Sequence, residues 1–163
     1  MENQSNLSAP IYVASSWRNP AQPAAVHILR RYGLNVYDFR EPRPGEKGFA
    51  WSDIDPAWKS WTPEAFIQGL DHGIALRGYG SDWCAMKEAG ACVLLMPCGR
   101  SAHLEAGYFV GAGKPLHIVL SDGEPELMYL MAREVPGGRI WPGLHCLPDV
   151  AEALGGQEPP ADA

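Results

Sequence analysis

No apolar stretch of this 163-residue chain reaches the length needed to cross a bilayer. The first residues, Met1-Glu2-Asn3-Gln4, carry neither the basic nor the apolar region of a secretory signal. The expectation is a cytoplasmic protein with no membrane partner. Positive charge is also scarce: 13 Lys and Arg face 19 Asp and Glu, a formal net charge of −6 with no basic run. A nucleic-acid groove or an anionic surface calls for the opposite balance, so neither partner is expected. One or two local arginines can still hold a small anion. The four cysteines, Cys84, Cys92, Cys98 and Cys146, form no Cys-x-x-Cys pair. They read as buried free thiols of a reducing compartment, and no metal or organic cofactor is expected. Internal repeats and a glycine-rich phosphate loop are missing as well.

What is present is ordinary for a globular protein: 46% hydrophobic and 20% charged residues. The length suits one domain, 1–155, followed by a frayed tail, 156–163. Apolar runs alternate with helical spacing. Ile11-Tyr12-Val13-Ala14 reads as a buried first strand, 20–32 as a helix stopped by Gly33, and 34–39 as a second strand. Residues 40–62 hold Trp51, Trp58 and Trp61 with little regular pattern, and a loop of that length is usually functional. Helices are predicted at 63–76 and 82–89, then the clearest strand, Ala91-Cys92-Val93-Leu94-Leu95-Met96. A helix follows at 101–112, a strand at 116–120, a helix at 125–133, a weak fifth strand at 144–147 and a last helix at 148–154. Strands apolar throughout and separated by helices predict a parallel sheet covered on both faces, with ligands beyond the carboxyl ends of the strands.

That edge is formed by the loops at 15–19, 40–62 and 97–101. The densest is Pro97-Cys98-Gly99-Arg100-Ser101-Ala102-His103-Leu104-Glu105-Ala106-Gly107-Tyr108. Ser101 can cap the helix, which puts Glu105 in about its second turn, where amides and the helix dipole favour an ionised carboxylate. Such a carboxylate is either a nucleophile beside a cleft or simply a favourable early-helix acid. Asp82 stands at a predicted helix start, where an N-cap is the ordinary role. His103 and Arg100 suit exposed helix positions. Ser15-Ser16-Trp17-Arg18-Asn19 precedes a helix N-terminus, a natural anion site. The tryptophans, Trp17 included, suit either stacking on a planar base or packing under the long loop.

In this order and spacing, over about residues 10–132, the segments resemble the nucleoside 2-deoxyribosyltransferase family and the related nucleotide N-glycosidases. The matching pieces are Ile11 to Trp17, Asp82 with Met86, Glu105-Ala106-Gly107-Tyr108, Gly113-Lys114-Pro115 and Pro125-Glu126-Leu127-Met128. The resemblance implies a flavodoxin-like three-layer α/β sandwich with a five-stranded parallel sheet, and cleavage of an N-glycosidic bond. It places Glu105 on the nucleophile, Asp82 on an acid beside the leaving base, Tyr12 on a residue orienting the nucleophile, and Trp17 in the base pocket. Ser16, Gly99 and Ser101 fall among the substrate-binding positions, and Arg18 loosely matches a phosphate-binding one. Two positions depart from the transferases: Gly99 stands where they carry Asp, and Glu126 is the nearest match to an Asn supplied by a neighbouring subunit. Both favour hydrolysis over base exchange. The implied partner is a small nucleoside or nucleotide, in a homodimer or higher oligomer; NAD-like substrates stay open because Toll/interleukin-receptor-type NAD hydrolases share the carboxylate logic on a similar sheet. A protein that senses a nucleotide derivative without turning it over is the alternative.

In that assembly the helix 125–133 turns Leu127, Leu130 and Met131 to its own sheet. Met128 and Tyr129 then face a partner subunit or pack under the tryptophan-bearing loop.

Overall fold

The computed structural model describes residues 9–121, 123 and 125–160. Met1 to Gln4, Glu124 and the last three residues of the expected tail lie outside them. The strands are β1 Ile11–Ala14, β2 Val36–Tyr37, β3 Ala91–Leu95, β4 Leu116–Val119 and β5 Arg139–Trp141. The helices are α1 Gln22–Arg31, α2 Pro63–Leu70, α3 Gly73–Glu88, α4 Arg100–Gly111, α5 Met131–Glu134 and α6 Leu147–Ala153. These elements fall into two compact units, 38–87 and the remainder of the chain.

The larger unit holds the whole sheet, all parallel, in the order β2-β1-β3-β4-β5. That order is flavodoxin-like, and its switch point lies between β1 and β3. Alternation along the strands decides the two faces. Ile11, Val13, Val36, Ala91, Val93, Leu95 and Val119 pack with Ala25, Val26 and Leu29 of α1 and Leu147, Val150 and Ala151 of α6. The intervening residues, Tyr12 among them, face α4, whose Phe109 ring lies 5.7 Å from that of Tyr12. Helices on both faces around the sheet make the three-layer sandwich that the alternating pattern predicts. Gly33 and Gly113 end α1 and α4 with φ of +80° and +70°, a conformation glycine adopts without strain.

Two elements of this unit depart from the sequence reading. The fifth strand is Arg139–Trp141, whereas 144–147 forms a 3-10 turn running into α6. The real strand is a three-residue edge that opens on an exposed arginine, so no apolar run marks it. It is approached through Gly138, where a Cβ would overlap the Ala132 carbonyl oxygen. The helix at 125–133 is a 3-10 turn, Leu127–Leu130, followed by the short α5. Leu127 and Leu130 are exposed there, and Ala132 and Val135 are the buried residues instead. Past α6 the backbone turns at Gly155, and the amides of Gly156 and Gln157 donate to Ala151 and Tyr32 carbonyls at 2.8 and 2.9 Å.

The smaller unit is built on aromatic rings. Trp51 meets Phe49, Trp61 and Phe66 edge-on at 4.8, 5.6 and 5.5 Å between centroids. The Trp61 indole N–H donates to Asp55 Oδ2 at 2.6 Å, and this bond with the Ala57 amide holds the Asp55 carboxyl below its usual range. Thr62 caps α2 by accepting the Ala65 amide at 3.2 Å, with Pro63 at the first position. Of the two roles open to the loop tryptophans, packing describes Trp51 and Trp61. The helix expected over 63–76 ends at Leu70, and α3 starts at Gly73, nine residues before the helix expected at 82–89. Gly78 and Gly80 suggest a break there, but a Cβ on Gly78 would stand 2.7 Å from that of Phe49. The glycine makes room for the ring, at the ordinary cost in helix propensity.

Among the described residues no helix is long and apolar enough to cross a membrane.

Candidate active site

In the larger unit the carboxyl edge of the sheet is formed at the switch point by the loops after β1 and β3. The two loops are tied together. Ser15 Oγ donates to the Leu95 carbonyl at 3.0 Å, and the Asn19 side-chain amide donates to Ser15 Oγ at 3.1 Å and to the same carbonyl at 3.4 Å. Asn19 Oδ1 accepts the Ala21 amide at 3.0 Å as the chain turns into α1. Asn19 is 1% exposed, a buried polar group with its bonds satisfied. Sequence reasoning passed over it; an Asn-Pro pair before a helix was the available signal.

Between these anchors Ser16, Trp17 and Arg18 form the tip. Ser16 Oγ accepts the Arg18 amide at 3.2 Å, and the Ser16 carbonyl accepts that of Asn19 at 3.0 Å. This compact turn leaves Trp17 and Arg18 exposed. A planar ring and a guanidinium held at the ligand edge can stack on a base and contact an anion.

Across the switch point α4 begins with Gly99 as its N-cap, in extended backbone and without a side-chain cap. Ser101, expected to be the cap, is an exposed residue of the first turn. The helix starts earlier because Arg100 already adopts helical geometry. Glu105 lies in the second turn, half-buried beside the buried stripe of Ala102, Ala106 and Phe109. It precedes Phe109 by one turn, on the face that meets Tyr12. Its charge is felt on both sides. The Cys92 thiol is pushed up by burial and then by Glu105, and Cys98 is pushed up to about 11 by the same two causes. Cys92 is the β3 neighbour of Tyr12 in register, so Glu105 sits over the β1–β3 pair. Tyr12 is buried, stacked on Tyr37 at 5.4 Å.

A second cluster adjoins Glu105. His103 Nδ1 stands 2.9 Å from the Gly99 carbonyl and 3.6 Å from Cys98 Sγ, while Nε2 is 3.0 Å from the Tyr129 hydroxyl. The two rings stack at 5.9 Å. A carbonyl only accepts, so Nδ1 donates to Gly99, while the Tyr129 hydroxyl lies between Nε2 and Met96 Sδ, to which it donates at 3.6 Å. The His103–Tyr129 contact spans 26 residues, and nothing local in the sequence announces it. The Tyr129 hydroxyl is pushed up in pKa by burial, then by Cys98 and Glu126. Glu126 itself is exposed, at the start of the 3-10 turn, and its carbonyl accepts the Tyr129 amide at 3.2 Å. Tyr129 therefore packs on His103 and Met96 within its own unit.

Tyr12, Ser16, Trp17, Arg18, Gly99, Ser101, Glu105 and Glu126 thus belong to one unit, with Tyr12 beneath α4 and the others on loops or early turns. Asp82 belongs to the smaller unit, half-buried inside α3. It is nine residues from the start of that helix, so the N-cap role does not apply. The cysteines are free thiols, but of the four expected to be buried Cys84 is exposed and Cys98 half-buried.

No family model matches the chain, and no curated protein matches it. Among solved structures it is similar to a 2-deoxyribosyltransferase from the psychrotolerant bacterium Bacillus psychrosaccharolyticus. The identity is 22% over 78% of this chain and 82% of that one, with a TM-score of 0.48.

Proposed function

We propose that this protein cleaves the N-glycosidic bond of a nucleoside or nucleotide, with Glu105 as the group that meets the anomeric carbon. The observation that carries the reading is the position of Glu105: a half-buried carboxylate in the second turn of α4, one turn above the Tyr12–Phe109 contact. A glycosidic bond breaks through an oxocarbenium-like state. A carboxylate next to that carbon stabilises the positive charge and then bonds to it as the base departs. Water attacks the glycosyl-enzyme and restores Glu105. Trp17 stacks on the base, Arg18 contacts a phosphate where the substrate has one, and Ser16 and Ser101 offer hydroxyls. Hydrolysis is favoured over exchange because Gly99 and Glu126 replace the Asp and Asn that the resembling transferases carry.

The protein works as a homodimer or higher oligomer in this reading. Leu127 and Met128 are 76% and 65% exposed on the turn that begins at Glu126, a surface suited to a second copy. Light scattering at micromolar concentration returns a mass of two chains or more; a monomer refutes the assembly.

The activity is tested by incubating the protein with nucleosides, nucleoside monophosphates and NAD, and measuring free base by chromatography. Release of base from one class supports the reading. Calorimetric binding with no base released over hours would replace it with a nucleotide sensor.

A further inference from the structure

The loop from β3 to α4 brings three soft donors together. Cys98 Sγ lies 3.3 Å from Met96 Sδ and 3.6 Å from His103 Nδ1. Among the described residues no three His, Cys, Asp or Glu side chains could hold a metal ion, so the thioether decides the chemistry. One thiolate, one thioether and one imidazole suit a soft monovalent ion and make a poor zinc site. We propose that Met96, Cys98 and His103 form a three-coordinate site for Cu(I) or an ion of the same softness.

The Cys98–Met96 and Cys98–His103 separations fit. An ion about 2.3 Å from each sulfur and about 2.1 Å from the nitrogen would span the observed distances with angles of about 90° and 110°. Loading exchanges protons without redox change. The Cys98 thiol releases its proton to solvent as sulfur bonds the ion. The Nδ1 proton leaves Gly99 and is replaced by one on Nε2, which then donates to Tyr129, the outer partner that fixes the imidazole. Nothing in the sequence announces the set, because Met96-x-Cys98-x4-His103 is not a zinc spacing.

The test is independent of any glycosidic activity. Cys84 is exposed and would bind soft ions itself, so the full chain is used with Cys84→Ser. The reduced protein is titrated anaerobically with Cu(I) held by bicinchoninate, and the loaded protein is examined at the copper absorption edge. One equivalent bound by two sulfurs and one nitrogen is expected. Cys98→Ser, Met96→Leu and His103→Gln should each weaken binding by at least the about 10- to 100-fold that a lost outer partner costs. No copper taken from the chelator would overturn the proposal. So would affinity unchanged in Met96→Leu and His103→Gln, which spare the thiol and serve even if Cys98→Ser fails to fold.

Discussion

The side-chain amide of Asn19 donates to the Ser15 hydroxyl at 3.1 Å, and through it the loop after β1 is held to the last residue of β3. Asn19→Ala removes this bond and leaves the Ala21 amide without its acceptor. A loss of about 1–3 kcal/mol is expected for a buried group deprived of its partner. Urea unfolding measures it; an unchanged midpoint would show that the tie contributes nothing.

Gly99 is an N-cap with no Cβ obstruction and extended backbone, so the fold does not demand glycine there. Gly99→Asp adds an acceptor for the first α4 amides and should stabilise by a few tenths of a kcal/mol, roughly the Gly-to-Asp difference at such sites. Asp also restores the residue that the resembling transferases carry. Supplying a free acceptor base should then raise the ratio of exchanged nucleoside to hydrolysed sugar. A ratio equal to wild type would separate Gly99 from the choice of reaction.

How much of this was legible in the sequence depends on the range of the interactions. β1 and β3 are buried on both faces and apolar throughout, so their composition alone marks them. Gly33 and Gly113 mark the helix ends through their own backbone conformation. β5 is set by edge pairing to β4, and three residues beginning with Arg139 carry no pattern. The length of α3 was hidden by Gly78, whose reason is Phe49, 29 positions earlier in the chain. Glu105 was legible as an early-helix acid. Asn19 and the His103–Tyr129 pair were not, because their roles come from partners brought near only by the folded sheet edge.

His117 provides a pH test of the core. It is 1% exposed, accepts the Trp141 indole N–H on Nδ1 at 3.1 Å, and is lowered to about 4 by burial and then by Arg139. Its folded value is depressed, so the unfolded chain takes up the proton first, near the ordinary value of about 6.5. Stability from this group is complete above about pH 6.5 and falls as pH drops toward 4, by up to about 3 kcal/mol. Urea midpoints at pH 7 and 4.5 should diverge more in wild type than in His117→Gln. Equal pH dependence would mean that His117 titrates normally.

Asp82 is tested by leaving-group chemistry. If it protonates the departing base, Asp82→Asn should depress turnover of nucleosides with poor leaving groups far more than that of a nitrophenyl riboside. Equal losses on both substrates would make it a structural residue of α3.

Glu105→Ala on the best substrate of the panel, with release of free base followed by chromatography and folding checked by circular dichroism, tests the central proposal most directly. Removing the carboxylate that stabilises the cationic carbon should lower the rate by about two orders of magnitude or more, with the fold retained. Turnover within a few-fold of wild type in the folded variant would contradict the assignment of Glu105, and with it the proposed mechanism.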